Sequence, residues 1–132
     1  MTWKVLEKHA RDMVDEAISV AYHEALKSVE TFKLGAAVIR RKSVLALGRN
    51  KNVNSHGLPS IHAEMDACWK LDKNERFRDL HLVVVRATKT GIACSKPCPA
   101  CLRSMKRFGI RKITYTTGDP DVPLDTLMLK KM

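Results

Sequence analysis

Residues 80–87 read Leu80-His81-Leu82-Val83-Val84-Val85-Arg86-Ala87, and this run decides the fold. Its Leu-Val-Val-Val centre is nearly continuous in apolar residues, the pattern of a strand covered on both faces, so it is expected at the middle of a sheet. Downstream, residues 88–97 read as a loop, Pro99 to Phe108 as a helix that Gly109 ends, and Ile110 to Thr116 as another strand. Upstream, the polar residues 72–79 separate the run from a predicted helix, Ala63 to Leu71, with Met65, Ala67, Cys68 and Leu71 as candidate buried positions. Residues 49–61 are polar and rich in Asn, Gly and Pro, an irregular loop of the kind that often carries function.

Farther upstream, the short apolar runs Leu34 to Ile39 and Val44 to Leu47, separated by Arg40-Arg41-Lys42, predict an antiparallel hairpin. From Trp3 to Val29, apolar residues recur at helical spacing, including Leu6, Ala10, Met13, Ala17, Ala21 and Ala25, which predicts a long amphipathic first helix. The order is helix, two strands, helix, strand, helix, strand. Short strand-helix-strand connections imply parallel central strands with right-handed crossovers, joined to an antiparallel edge hairpin. The last segment, Gly118 to Met132, suits either a short helix or an edge strand, so the α/β architecture has a mixed sheet of five strands, or four.

The chain's 132 residues suit a single domain, 1–132, with one core. With 45% apolar and 29% charged residues it is too hydrophobic for a disordered chain. No apolar stretch approaches the roughly 20 residues of a membrane span, and Met1 to Lys8 lacks the pattern of a secretion signal. The expectation is an intracellular, cytoplasmic protein with no membrane partner. Lys and Arg total 24 against 14 Asp and Glu, a formal charge of +10 that favours anionic partners such as nucleotides or nucleic acid, although it also serves solubility. Clustered cysteines in such a chain are more often metal ligands than disulfides.

Two short motifs carry the chemistry. His62-Ala63-Glu64 opens one predicted helix and Pro97-Cys98-Pro99-Ala100-Cys101 the next. Both helices follow strands of one sheet, so their N-termini are expected to converge at the carboxyl ends of the strands. Cys98 and Cys101, three apart in a first helical turn, put both sulfurs on one side, where they can share a tetrahedral metal with His62 as third ligand. Three protein ligands leave one position for water, the arrangement of catalytic rather than structural zinc. Two thiolates and a neutral imidazole bring the zinc site to formal zero charge, so a nearby base is useful, and Glu64 is the candidate. Pro99 fits the first helical turn, where its missing N–H has no partner to lose. Pro97 stiffens the approach and leaves the Cys98 N–H for a polar substrate atom, with Ala63 and Pro97 as candidate substrate contacts. Taken alone, the Cys-x-x-Cys pair also suits a structural zinc knuckle or a redox pair, and Cys94 as a fourth ligand would close the site. Cys68 reads as a small core residue.

In this order, the fragments form the H-x-E and P-C-x-x-C signature of zinc deaminases, and the chain resembles the cytidine deaminase superfamily from its first helix through Thr116. The resemblance implies a three-layer sandwich with the sheet between helices, catalytic Zn2+ on His62, Cys98 and Cys101, and Glu64 as proton shuttle. It implies hydrolytic deamination of a cytosine nucleoside or nucleotide (cytidine, deoxycytidine or deoxycytidylate) to the uracil product and ammonia, by a homo-oligomer. Asn50, in Gly48-Arg49-Asn50, matches a motif that contacts the substrate's sugar. Histidine as first ligand groups the chain with deoxycytidylate, tRNA and polynucleotide deaminases, and Arg49, Lys51 or His56 are candidate cations for a deoxycytidylate phosphate. RNA or single-stranded DNA would be held by Arg103, Lys106, Arg107, Arg111, Lys112, Lys130 and Lys131. The low aromatic content, 5%, gives no stacking platform and favours a small substrate. The alternatives are a nucleic-acid-editing deaminase, for tRNA adenosine or single-stranded polynucleotide cytosine, and a non-catalytic zinc-stabilised nucleic-acid-binding module.

Overall fold

The computed structural model describes residues 13–41, 43–51, 62–71 and 80–129. Within them the chain forms α1 (Met13–Leu26), β1 (Lys33–Arg40), β2 (Ser43–Arg49), α2 (Ala63–Trp69), β3 (Leu80–Thr88), β4 (Gly91–Ala93), α3 (Pro99–Arg107), β5 (Ile110–Thr116) and β6 (Leu124–Met128). The first ten residues of the predicted first helix, the loop 52–61 with His56, the stretch 72–79, and Lys130 and Lys131 lie outside the described residues.

The strands make one mixed sheet in the order β2-β1-β3-β5-β6, with β4 paired to β3. β3 is central, as its apolar run predicts, and residues Leu82 to Val85 are wholly buried. The hairpin is antiparallel and forms one edge of the sheet, as expected, with β2 outermost. β1 lies between β2 and β3 and is antiparallel to both, which leaves β3 and β5 as the parallel pair. The reason is in β1 itself. Gly35 to Ile39 is buried without interruption, so it suits an inner strand covered on both faces, whereas β2 alternates and suits the edge. The sheet also has six strands rather than five or four. The C-terminal segment resolves as the edge strand β6, antiparallel to β5, and the predicted loop 88–97 contains the three-residue β4, which is too short for a legible period. Gly91, at φ 147°, makes the turn into it.

Helix ends also shift. α1 stops at Leu26, not Val29: Lys27 and Ser28 donate to the carbonyls of Glu24 and Ala25, tightening the last turn. The Ser28 hydroxyl then donates to the Asn50 carbonyl and accepts from the Glu30 N–H, a local turn that competes with helix. Val29 is left exposed. α2 ends at Trp69 rather than Leu71, while Gly109, at φ 86°, follows the end of α3 as expected.

The sheet is the middle layer of three. On one face Ala17, Ile18 and Ala21 of α1 pack against Ala37, Ile39, Val83 and Val85. On the other, Ala63, Ala67 and Cys68 of α2 and Cys101 and Met105 of α3 pack against Ala36, Val38, Leu82, Val84 and Ile113. Cross-strand partners share a face: Val84 is opposite Ala36 on one side and Tyr115 on the other. β2 and β3 both run antiparallel to β1, so they point the same way. The helices that follow them therefore start at the same edge of the sheet.

Candidate active site

At that edge, His62 is the N-cap of α2 (φ −74°, ψ 151°) and Cys98 the N-cap of α3 (φ −77°, ψ 160°), both extended. An N-cap residue has left the helical path, so its side chain projects beyond the helix end. Pro99 takes the first helical position and Cys101 follows in the same turn. The two predicted helix starts converge. A ring nitrogen of His62 and the sulfurs of Cys98 and Cys101 lie within 4.8 Å of one another, and His62 Nδ1 is 3.0 Å from Cys101 Sγ. Tetrahedral zinc with one nitrogen and two sulfur ligands spaces them roughly 3.6–3.8 Å apart, so this donor set fits zinc with little adjustment. Cys94 is not part of this group, and Cys68 is a buried core residue.

The electrostatics differ across the cluster. The Cys101 N–H, facing the Cys98 sulfur, holds that thiol below its ordinary value. Burial pushes the Cys101 thiol up to about 12, helped by its contact with Cys98 and by Glu64. The Glu64 carboxyl is buried, and desolvation raises its pKa; a backbone hydrogen bond, His62 and the Cys101 thiol pull the other way without overcoming it. A cation at the cluster stabilises the thiolates that burial disfavours.

His62, Glu64 and Cys98 open on a cavity of about 310 Å³. Its walls are Phe32 and Leu34 before and within β1, Arg86 near the end of β3, residues 94–98, and His62 with Glu64. The approach to Cys98 is fixed by Ser95. Its buried hydroxyl donates to the Val84 carbonyl at 2.8 Å, accepts from the Thr116 N–H at 2.9 Å, and lies 2.8 Å from Thr116 Oγ1. Pro97 is buried in the cavity wall, and Ala63 is buried in the first turn of α2.

Asn50 sits behind the wall. Its amide oxygen accepts from the Leu34 N–H at 2.9 Å and its amide nitrogen donates to the Phe32 carbonyl. Arg49 and Lys51 do not face the cavity as free cations: Arg49 Nη1 pairs with Glu24 at 2.8 Å, and Lys51 with Asp66 at 3.2 Å. On α3 and β5, Arg103, Arg107 and Lys112 are exposed and Lys106 and Arg111 half-buried, none of them in the cavity wall. The sequence reading missed Arg86, Phe32 and Ser95. For Arg86 a signal existed, because Leu82, Val84 and Arg86 are two apart and therefore share a face of the strand.

Solved structures with the same fold include the cytidine deaminase from Burkholderia pseudomallei, 23% identical over 86% of this chain and 91% of that one, with a TM-score of 0.66. The dCMP deaminase from the cyanophage S-TIM5 is 23% identical in its apo form over 80% of this chain and 82% of that one, at a TM-score of 0.63. In complex with dCMP and dUMP the cyanophage protein aligns at 21% identity over 86% and 81%, with a TM-score of 0.54. A search of curated proteins found no match. The sequence does match a family model, the cytidine and deoxycytidylate deaminase zinc-binding region, over residues 7–117. That span takes in α1, the hairpin, both helix starts that carry the candidate metal-binding residues, and β5, and on it the chain belongs to the cytidine and deoxycytidylate deaminase family.

Proposed function

We propose that this protein is a zinc-dependent hydrolytic deaminase that converts a cytosine nucleoside or nucleotide to its uracil counterpart and releases ammonia. The observation that carries this reading is that the buried Glu64 carboxyl lines one cavity together with His62 and Cys98, two members of a His-Cys-Cys donor set completed by Cys101. Zinc on His62, Cys98 and Cys101 supplies Lewis acidity toward a water molecule. Glu64 takes the proton that the attacking water loses, holds it on a carboxyl oxygen and gives it to the ring nitrogen beside the amine-bearing carbon. The water oxygen bonds to that carbon. Glu64 then moves the proton of the new hydroxyl to the amine, the C–N bond breaks, and ammonia leaves. The Cys98 N–H and the backbone of Ala63 and Pro97 are the candidate contacts to the base. Asn50 holds the Phe32–Leu34 wall through its amide, and it remains the candidate contact to the substrate's sugar.

The same reading includes a cytoplasmic homo-oligomer, and the four free thiols suit a reducing compartment. Mass spectrometry tests the reaction with zinc-loaded protein and its Glu64→Ala variant, on cytidine, deoxycytidine, their monophosphates, adenosine, tRNA and single-stranded DNA. A monomeric cytosine compound is converted, and Glu64→Ala lowers the rate by about 10²–10⁴-fold while zinc is retained. Conversion only in polymer would make the protein a nucleic-acid editor. With no conversion anywhere, the deaminase reading fails.

A further inference from the structure

The cations around the active-site edge fall into two groups. Arg49, Lys51 and Lys70 are all paired to the buried carboxylates of Glu24 and Asp66. Arg86 and Lys96, both in the cavity wall, have no ion pair among the described residues.

Arg86 stands in the strand register that continues Leu82 and Val84, both wholly buried beneath α2 and α3. The buried face of the central strand therefore ends in a guanidinium at the cavity that His62, Glu64 and Cys98 also line. Its Cζ lies 4.6 Å from the centroid of the Phe32 ring. Its Nε is buried without a hydrogen-bond partner. Burying part of a guanidinium without a counter-charge is costly, and an aromatic face compensates only in part. Lys96, exposed on the segment that leads to Cys98, adds a second charge to the same wall.

We propose that Arg86 and Lys96 read a phosphate group and that the substrate is a nucleoside monophosphate; this rests on the deaminase reading and specifies its substrate. Two cations on one wall match a dianion. A phosphate monoester carries about −1.5 to −2 at pH 7, whereas a phosphodiester carries one charge and a nucleoside none. The fork of an arginine also meets two phosphate oxygens at once, and the buried Nε is one of its five donors still unused.

The test measures kcat and KM for deoxycytidine 5′-monophosphate and deoxycytidine, with zinc content measured on each protein. The wild-type protein prefers the nucleotide in kcat/KM by about 100-fold or more, the scale of charge-assisted hydrogen bonds, and the preference lies in KM. Arg86→Gln reduces that preference below about 10-fold, Lys96→Gln reduces it less, and Arg86→Lys recovers part of it, on the scale expected for losing charge-assisted bonds. Lys96 is exposed, so its variant keeps the proposal testable where Arg86→Gln fails to fold. A wild-type preference for deoxycytidine, or a nucleotide preference that survives both glutamine substitutions, overturns the proposal. Faster conversion of a single-stranded oligodeoxynucleotide than of the monophosphate also overturns it. Calorimetric binding of deoxyuridine monophosphate and deoxyuridine separates this inference from the reaction itself. If no compound is deaminated but the monophosphate binds more tightly in an Arg86-dependent way, the deaminase reading fails and the phosphate site stands. Equal binding of the two removes the phosphate site.

Discussion

Gly35 in β1 and Gly48 in β2 occupy equivalent positions on opposite faces of the sheet. A Cβ on Gly35 would collide with the Ala21 carbonyl of α1, and one on Gly48 with the Ala63 carbonyl and Ala67 nitrogen of α2. Each glycine lets a helix rest directly on strand backbone. Beyond that likeness the faces differ. The α1 face is closed by Ala17, Ile18 and Ala21 over Ala37, Val83 and Val85. The α2 and α3 face is apolar only until the strands end, where Arg86 continues the register of Leu82 and Val84 and the two helix starts bring in His62, Glu64 and Cys98. The same packing device therefore supports stability alone on one face and places reactive groups on the other.

The sharpest way to break this comparison is to remove one buried side chain from each face. Cys101→Ala takes away a proposed metal ligand, so elemental analysis finds less than one zinc per chain and conversion falls below detection. Ile18→Ala costs about 2–5 kcal/mol in urea unfolding, yet folded protein keeps its zinc and its turnover. A Cys101→Ala protein with full zinc content and activity would end the division of labour between the faces.

The two glycines give the next largest effect. Gly35→Ala and Gly48→Ala each cost about 1–3 kcal/mol or more, because backbone must move to admit the methyl group. Only Gly48→Ala moves α2, which carries His62 and Glu64, so competition with a chelator shows zinc affinity reduced by about 10–100-fold, as for lost support of a metal ligand. Equal zinc affinity in the two variants would show that α2 adjusts without disturbing its N-terminus. Ser95→Ala acts on the other helix start. It removes the hydroxyl that accepts from the Thr116 N–H and donates to the Val84 carbonyl, at a cost of about 1–3 kcal/mol in unfolding. Zinc affinity falls with it, since Ser95 anchors the approach to Cys98.

How much of this was legible in the sequence follows from the range of each signal. β3, β5 and the starts of α2 and α3 are set by local runs and by residues such as Pro99 and Gly109, and they fall where the sequence places them. The position of β1 is not local. Its run Leu34 to Ile39 is as continuous as that of β3, but which strand pairs with its second edge is decided by β3, some 45 residues downstream, and its faces are covered by helices on either side of the sheet. The cluster of His62, Cys98 and Cys101, which could hold a metal ion, was legible because helix starts combine spacing with proline. Arg49 and Lys51 were poor guides to a phosphate because their partners, Glu24 and Asp66, lie 25 and 15 residues away. Arg86 lies inside the run Leu80 to Ala87, whose apolar centre assigns the strand, and it is the cavity that shows this face of the strand ending at the site.

The smallest effect concerns Arg49, which joins the two helical layers. Its guanidinium pairs with Glu24 of α1 and its N–H donates to Asp66 of α2 at 3.0 Å. Burial alone would raise the pKa of Glu24, but hydrogen bonds from Arg49 and Lys27 outweigh it and hold the folded value below the ordinary 4.5. For Asp66, burial is likewise outweighed by the Arg49 N–H, Lys51 and Lys70, and the folded value lies below 3.8. A carboxylate whose pKa is depressed by folding contributes stability above its unfolded value and loses it as pH falls through the folded one. Both contributions are thus present at pH 7 and fade below about pH 4.5 for Glu24 and below about pH 3.8 for Asp66. Urea unfolding of wild type, Glu24→Gln and Asp66→Asn at pH 7, 5, 4 and 3 measures this, because protonation of the metal ligands is common to all three and cancels in the differences. The gap between wild type and Glu24→Gln begins to narrow first as pH falls, and the Asp66→Asn gap begins to narrow at lower pH, because the ordinary value of an aspartate lies below that of a glutamate. A Glu24→Gln gap that is the same at pH 7 and pH 3 would mean that the pair joins α1 to β2 by shape rather than by charge, and the two layers would then differ in how they are held as well as in what they carry.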